Sequence, residues 1–236
     1  MKIFFGVLIC TYFSCCFAIQ EKFEKYYLNN RSDEKSITIA FLLAGFPAED
    51  ANLNSEVGEW LDGASELAQK QLSKELSVKI KFDITHILTA PAVIWKYIIY
   101  RTTQGQMHGP SIITFIQEFY RNSLRPDILI VLTKYKFYDG PVSNALGFSN
   151  YKTLCEYMVP ILLTYDWNTM DDVEEAGRLL SKLVRSSVDD YRFTSSKPRG
   201  AYFNGCNIRH KPKGYRDDDD YTYYVLPHDE VPYSRY

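Results

Sequence analysis

Apolar residues along the chain fall into a few strong patterns separated by polar stretches. Ile37-Thr38-Ile39-Ala40-Phe41-Leu42-Leu43 is an apolar, β-branched run that stops at Gly45 and Pro47, which predicts a buried first strand. From Asn54 or Ser55, either of which can cap a helix, Val57, Trp60, Leu61, Ala64, Leu67, Ala68 and Leu72 recur at helical spacing to about Leu76. Val78, Ile80, Phe82 and Ile84 then alternate with polar residues and, after a shift, Ile87 continues them, as in a half-exposed strand. A short helix is expected near Trp95 to Tyr100, and a second helical pattern carries Ile112, Phe115, Ile116 and Phe119 between Ser111 and Leu124.

Pro126-Asp127 opens Ile128-Leu129-Ile130-Val131-Leu132-Thr133, whose unbroken apolarity marks a central strand covered on both faces. Residues 135–158 read as loop, with Asp139-Gly140-Pro141 as a turn, before another strand-like run from Val159 to Leu163. A last helix is expected from a cap at Asn168 or Thr169 to about Asp190. Asp171, Asp172, Glu174 and Glu175 lie in its first turn and Lys182 and Arg185 in its last, both favourable to the helix dipole. Along it, Val173, Ala176, Leu180, Leu183 and Val184 share one face, and Arg178, Lys182 and Arg185 share the opposite one. Strand, helix, strand, helix, strand, loop, strand, helix describes an α/β layered domain on a mixed, mainly parallel twisted sheet.

The ends of the chain differ in character. Lys2 followed by the apolar run Ile3 to Phe17, with Cys16-Phe17-Ala18 at a small-residue cleavage point, reads as a signal peptide over residues 1–18. The mature chain is then expected outside the cell, with no membrane segment after signal cleavage. Residues 19–36 form a polar lead, and its Asn30-Arg31-Ser32 is a glycosylation sequon at Asn30. The folded domain is placed at 37–215. Residues 216–236 form an acidic, Tyr-rich tail in which Asp217 to Asp220 stand directly before Tyr221, with Tyr223 and Tyr224 following; these three tyrosines are candidates for sulfation. The 236 residues carry a net charge of −2, which gives no sign of a nucleic-acid partner. Three of the five cysteines lie in the signal, leaving Cys155 and Cys206, which an oxidising compartment favours as a disulfide contributing about 2–4 kcal/mol.

Three segments give the domain a family likeness. Pro126 to Thr133 is similar to a central strand before an active-site cleft. Ala145-Leu146-Gly147-Phe148, followed by Thr153-Leu154-Cys155, is similar to an edge strand with a cysteine just beyond. Ile161 to Asp166 then leads into the helix from Asp171. In this order they resemble the catalytic domain of metzincin metalloproteases, in particular the adamalysin or reprolysin branch and its compact salivary members from blood-feeding arthropods. The resemblance implies a zinc helix of the form H-E-x-x-H-x-x-G-x-x-H. Two imidazoles one turn apart and a third beyond a bend hold the metal, and the Glu takes a proton from its water. Laid on this chain with Leu179 and Leu183 at the motif's apolar positions, the motif puts Gly177 and Ser181 at the two helical His, Arg178 at the Glu and Ser187 at the third His. Val184 stands at the bend.

No ligand and no base survives in that alignment. The four histidines, His86, His108, His210 and His228, have no helical pair spacing, so no other metal site is read from the sequence. The expectation is therefore a secreted, non-catalytic metalloprotease homologue without catalytic residues, metal or cofactor. It would act by binding an extracellular protein, as a salivary factor directed at host proteins. Two alternatives accompany it: an active secreted zinc endopeptidase of the reprolysin type, which would need zinc, and a structural or storage protein of a secretion.

Overall fold

The computed structural model describes residues 32–207, apart from 122, 124 and 167–169. The signal, the sequon at Asn30, the tail tyrosines and His210 and His228 lie outside the described residues, as does the rest of the predicted domain beyond 207.

The main sheet has five strands: β1 (Glu34–Ala44), β2 (Lys79–Thr89), β5 (Ile128–Thr133), β9 (Val159–Thr164) and β8 (Gly147–Phe148), in the order β2-β1-β5-β9-β8. The first four are parallel, and β8 runs antiparallel to β9 through the pairs Gly147–Leu163 and Phe148–Leu162. The fold is mixed α/β. β5 is the middle strand, and all six of its residues are buried, as are all six of β9. This is what an unbroken apolar run requires when helices cover both faces.

β1 shows how the two faces are divided. Ile37, Ile39, Phe41 and Leu43 enter one apolar cluster, with α1 (Glu56–Leu76) and α4 (Val173–Ser186) above it. Ala40, Leu42 and Ala44 enter the other, under α2 (Ala92–Tyr100) and α3 (Gly109–Phe119). β2, at the sheet margin, alternates buried and exposed residues as its pattern predicts. The shift before Ile87 is a bulge: Ile39 pairs with Ile84 and Ala40 with His86, leaving Thr85 over. The Thr85 hydroxyl donates to the Ile39 carbonyl at 3.1 Å.

Helix ends follow local chemistry. Ser55 caps α1, its hydroxyl accepting from the Gly58 N–H at 2.9 Å. α4 is capped by Asp172, which accepts from the Glu175 N–H at 2.9 Å, and not by Asn168 or Thr169, which lie outside the described residues. It also ends earlier than its charge pattern suggests. The Ser186 and Ser187 hydroxyls both donate back to the Leu183 carbonyl, and Asp189 caps a separate short helix, α5 (Asp190–Ser195). α3 likewise stops at Phe119 instead of Leu124.

The segment expected as loop, 135–158, holds most of a second sheet. β6 (Lys136–Asp139) and β7 (Val142–Ala145) form a hairpin beside β4 (Gln106–His108) and β3 (Thr102–Thr103). These strands are two to four residues long, too short to leave a periodic signal. β1 also starts at Glu34, inside the stretch read as a polar lead, because Glu34 to Ser36 pair with Lys79 to Lys81 and the Lys35 ammonium donates to Asn204 at 2.9 Å.

Candidate functional site

α4 is the element on which the family likeness places its chemistry, and its surroundings decide what each side chain can do. Its buried residues are Ala176, Gly177, Leu180, Ser181, Leu183 and Val184. Gly177 rests directly on α1. A Cβ added there would stand 2.6 Å from the Leu67 Cβ and 3.1 Å from the Ala64 carbonyl oxygen. Position 177 therefore admits no side chain while the two helices keep this spacing. Ser181, one turn on, has no exposed surface, and its hydroxyl has no hydrogen-bond partner. The small residue at position 177 lines no pocket; it is what lets α4 approach α1.

The remaining sequence-predicted positions are not brought together either. Arg178 points to solvent, its guanidinium donating to Glu175 at 2.9 Å and Glu174 at 3.1 Å. The Glu175 hydrogen bond raises the guanidinium's already high pKa. The expected cation in a base slot is instead part of a surface ion-pair cluster. Ser187 is buried past the helix end, where its hydroxyl lies 2.9 Å from the Ser149 hydroxyl and 3.0 Å from the Leu183 carbonyl. On the flank toward the edge strand, Leu179 and Leu183 methyls press on β8 at Gly147, within 3.3 and 2.6 Å of where a Cβ would be.

Zinc does not fit this arrangement. Position 177 offers no donor and no room, and Ser181 is fully buried. Among the described residues no three His, Cys, Asp or Glu side chains are placed to hold a metal ion. His86 lies in β2 and His108 at the start of α3, where its Nδ1 is 2.5 Å from the Ser111 hydroxyl.

Cys155 and Cys206 are joined in a disulfide, with Cα atoms 4.3 Å apart and a sequence separation of 51. Around the bridge, the Tyr202 hydroxyl donates to the Leu154 carbonyl and accepts from the Asp189 N–H, at 3.0 and 3.1 Å. Burial pushes the Tyr202 phenol up, which keeps the donated proton in place. Sequence reading took Asp127 only as the opening of a strand. In the structure it is fully buried, and one carboxylate oxygen accepts from the Thr38 N–H, the Thr38 hydroxyl and the Asn207 N–H at 2.8, 2.8 and 2.9 Å. An acidic residue directly before an unbroken apolar strand was the available signal, since a carboxylate so placed needs donors from neighbouring chain segments.

A shallow groove of about 460 Å³ lies on the opposite layer, lined by Tyr97, His108, Pro110, Ser111, Thr114, Phe115 and Glu118. Two of its lining rings, Tyr97 and Phe115, stack at 3.9 Å, and the Arg101 guanidinium lies over the Tyr97 ring. No helix among the described residues is long and apolar enough to cross a membrane.

Fold and site together define a disulfide-closed α/β domain whose helix α4 is committed to packing. No family model and no curated protein matches the chain. Among solved structures it is similar to archaemetzincin from Methanopyrus kandleri, with a TM-score of 0.38 and 12% identity over 77% of this chain and 89% of that one. A likeness that loose carries nothing about chemistry.

Proposed function

We propose that this chain is a secreted, catalytically inactive relative of metzincin metalloproteases, of the adamalysin or reprolysin branch, that works by binding an extracellular protein. The observation that carries the reading is the contact of Gly177 with the Leu67 Cβ and the Ala64 carbonyl. A helix whose motif positions are packed that closely serves the core and leaves no coordination sphere for a metal with an open position. The disulfide supports an extracellular setting, because such bridges persist in oxidising compartments. With chemistry absent from α4, function falls to surfaces, and a salivary factor that engages a host protein is the form of binding the family likeness favours.

Metal analysis of the purified secreted protein, alongside its incubation with a broad peptide library, tests this. Substoichiometric zinc and no chelator-sensitive cleavage are expected, with or without added zinc. One tightly bound zinc per chain together with chelator-sensitive cleavage would show a working endopeptidase and end the proposal.

A further inference from the structure

Arg125 carries a full charge that its surroundings answer only in part. The residue is 8% exposed, and its guanidinium donates to the Arg121 carbonyl at 2.6 Å and to the Ser123 carbonyl at 2.9 Å. Those carbonyls, in the turn after α3, supply partial charge alone. No carboxylate among the described residues forms an ion pair with it, and burial lowers its pKa with no neighbouring charge raising it. A cation so enclosed calls for an anion.

Two other features meet at Arg125. Toward α3, Arg121 pairs with Glu118 at 3.0 Å, and Glu118 is one end of the groove lined by Tyr97 and Phe115. Toward β5, Asp127 takes the Asn207 N–H at 2.9 Å, so the last described residue is anchored two positions from Arg125. The sequence beyond it has a definite order. Arg209, Lys211, Lys213 and Arg216 come first and supply no anion. Asp217 to Asp220 are the first carboxylates, and Tyr221, Tyr223, Tyr224, Val225 and Leu226 follow. Asp217 is ten positions past Asn207, a reach of up to about 35 Å. The groove from Glu118 to Ser111 is only about 10 Å long on the helix.

We propose that residues 217–226 of this chain seat on this face, with Asp217 to Asp220 against Arg125 and the tyrosines in the groove of Tyr97 and Phe115. Acid then aromatic along the tail matches cation then ring along the surface. Glu118, the acid among the groove's lining residues, is already offset by Arg121, and Arg101 over the Tyr97 ring adds a second cation nearby. The groove is then covered in the free protein, and a partner that draws the tail away uncovers its rings.

Full secreted chains test this in two ways. In the first, Asp217→Asn through Asp220→Asn, Arg125→Met, and both sets together are compared with the parent by thermal unfolding. Neutralising the acids is expected to lower the unfolding temperature by roughly 2–4 °C at low salt. The loss should shrink at high salt and be clearly smaller once Arg125 is replaced. A loss as large in the Arg125→Met chain, or none in the parent, would overturn the proposal. The second test leaves Arg125 intact and places a photoreactive group in the groove wall by Thr114→benzoylphenylalanine, at an exposed position. Illumination is expected to link it to a peptide from 217–226 of the same chain, and to do so much less when the four acids are neutralised. Links to no tail peptide, or links only between two copies, would overturn the proposal.

Discussion

The two helical layers that cover the sheet are built on different principles. On one, α1 and α4 meet where Gly177 lies against Leu67 and Ala64, and the disulfide belongs to the same apolar cluster. On the other, α2 and α3 meet through stacked Tyr97 and Phe115, leave a groove between them, and expose Val93, Ile99 and Tyr100 at the surface. Small residues allow close backbone approach and leave no free chemistry. Aromatic residues of partial burial hold helices further apart and keep faces available. The layer on which the family likeness places catalysis is therefore the one committed to structure, and the other has more surface to offer.

Removing the bridge should break this contrast most severely. Cys155→Ala with Cys206→Ala is expected to cost about 2–5 kcal/mol, read as a lower denaturant midpoint under non-reducing conditions. Second in size is Gly177→Val, which must push α4 off Leu67 and the Ala64 carbonyl. Overpacking of this kind costs about 1–3 kcal/mol. An unchanged midpoint would mean that the helix pair is looser than its geometry. The smallest effect sharpens the comparison. Ser181→Ala deletes a buried hydroxyl that has no partner and should be neutral or slightly stabilising. Tyr100→Ser on the opposite layer, 76% exposed, should stay within about 0.5 kcal/mol. A large loss on Ser181→Ala would reveal a partner for that hydroxyl, and a large loss on Tyr100→Ser would mean that the Arg101 guanidinium over its ring matters more than a surface contact should.

Much of the fold was legible because its strong elements obey single periods. β1, β5 and β9 are apolar runs, α1 is a full amphipathic helix, and even the bulge at Thr85 left its mark as a slip in the alternation of β2. What escaped lacks a period. The β3-β4-β6-β7 sheet is made of strands too short to repeat anything, and β6 announces itself only through the buried Phe137. The candidate site was half legible. The sequence could reveal that no ligands stand at motif spacing. It could not tell which face of α4 meets α1, because Gly177 and Ser181 read as neither core nor surface until a neighbour lies against them. Asp127 escaped for a similar reason: its donors, Thr38 and Asn207, are 89 and 80 residues away.

That separation bears on how the chain reaches its native state. β1 pairs with β2 on one side and, on the other, with β5, whose Ile128 meets Ile39 across about half of the domain's length. During synthesis, β1 must wait for that neighbour with one margin of hydrogen-bonding groups open. Long-range parallel pairing of this kind slows folding, and an uncovered apolar strand invites association with other chains. Refolding yield should therefore fall as protein concentration rises, and the interval before β5 emerges is the time at which a chaperone would matter most to this molecule.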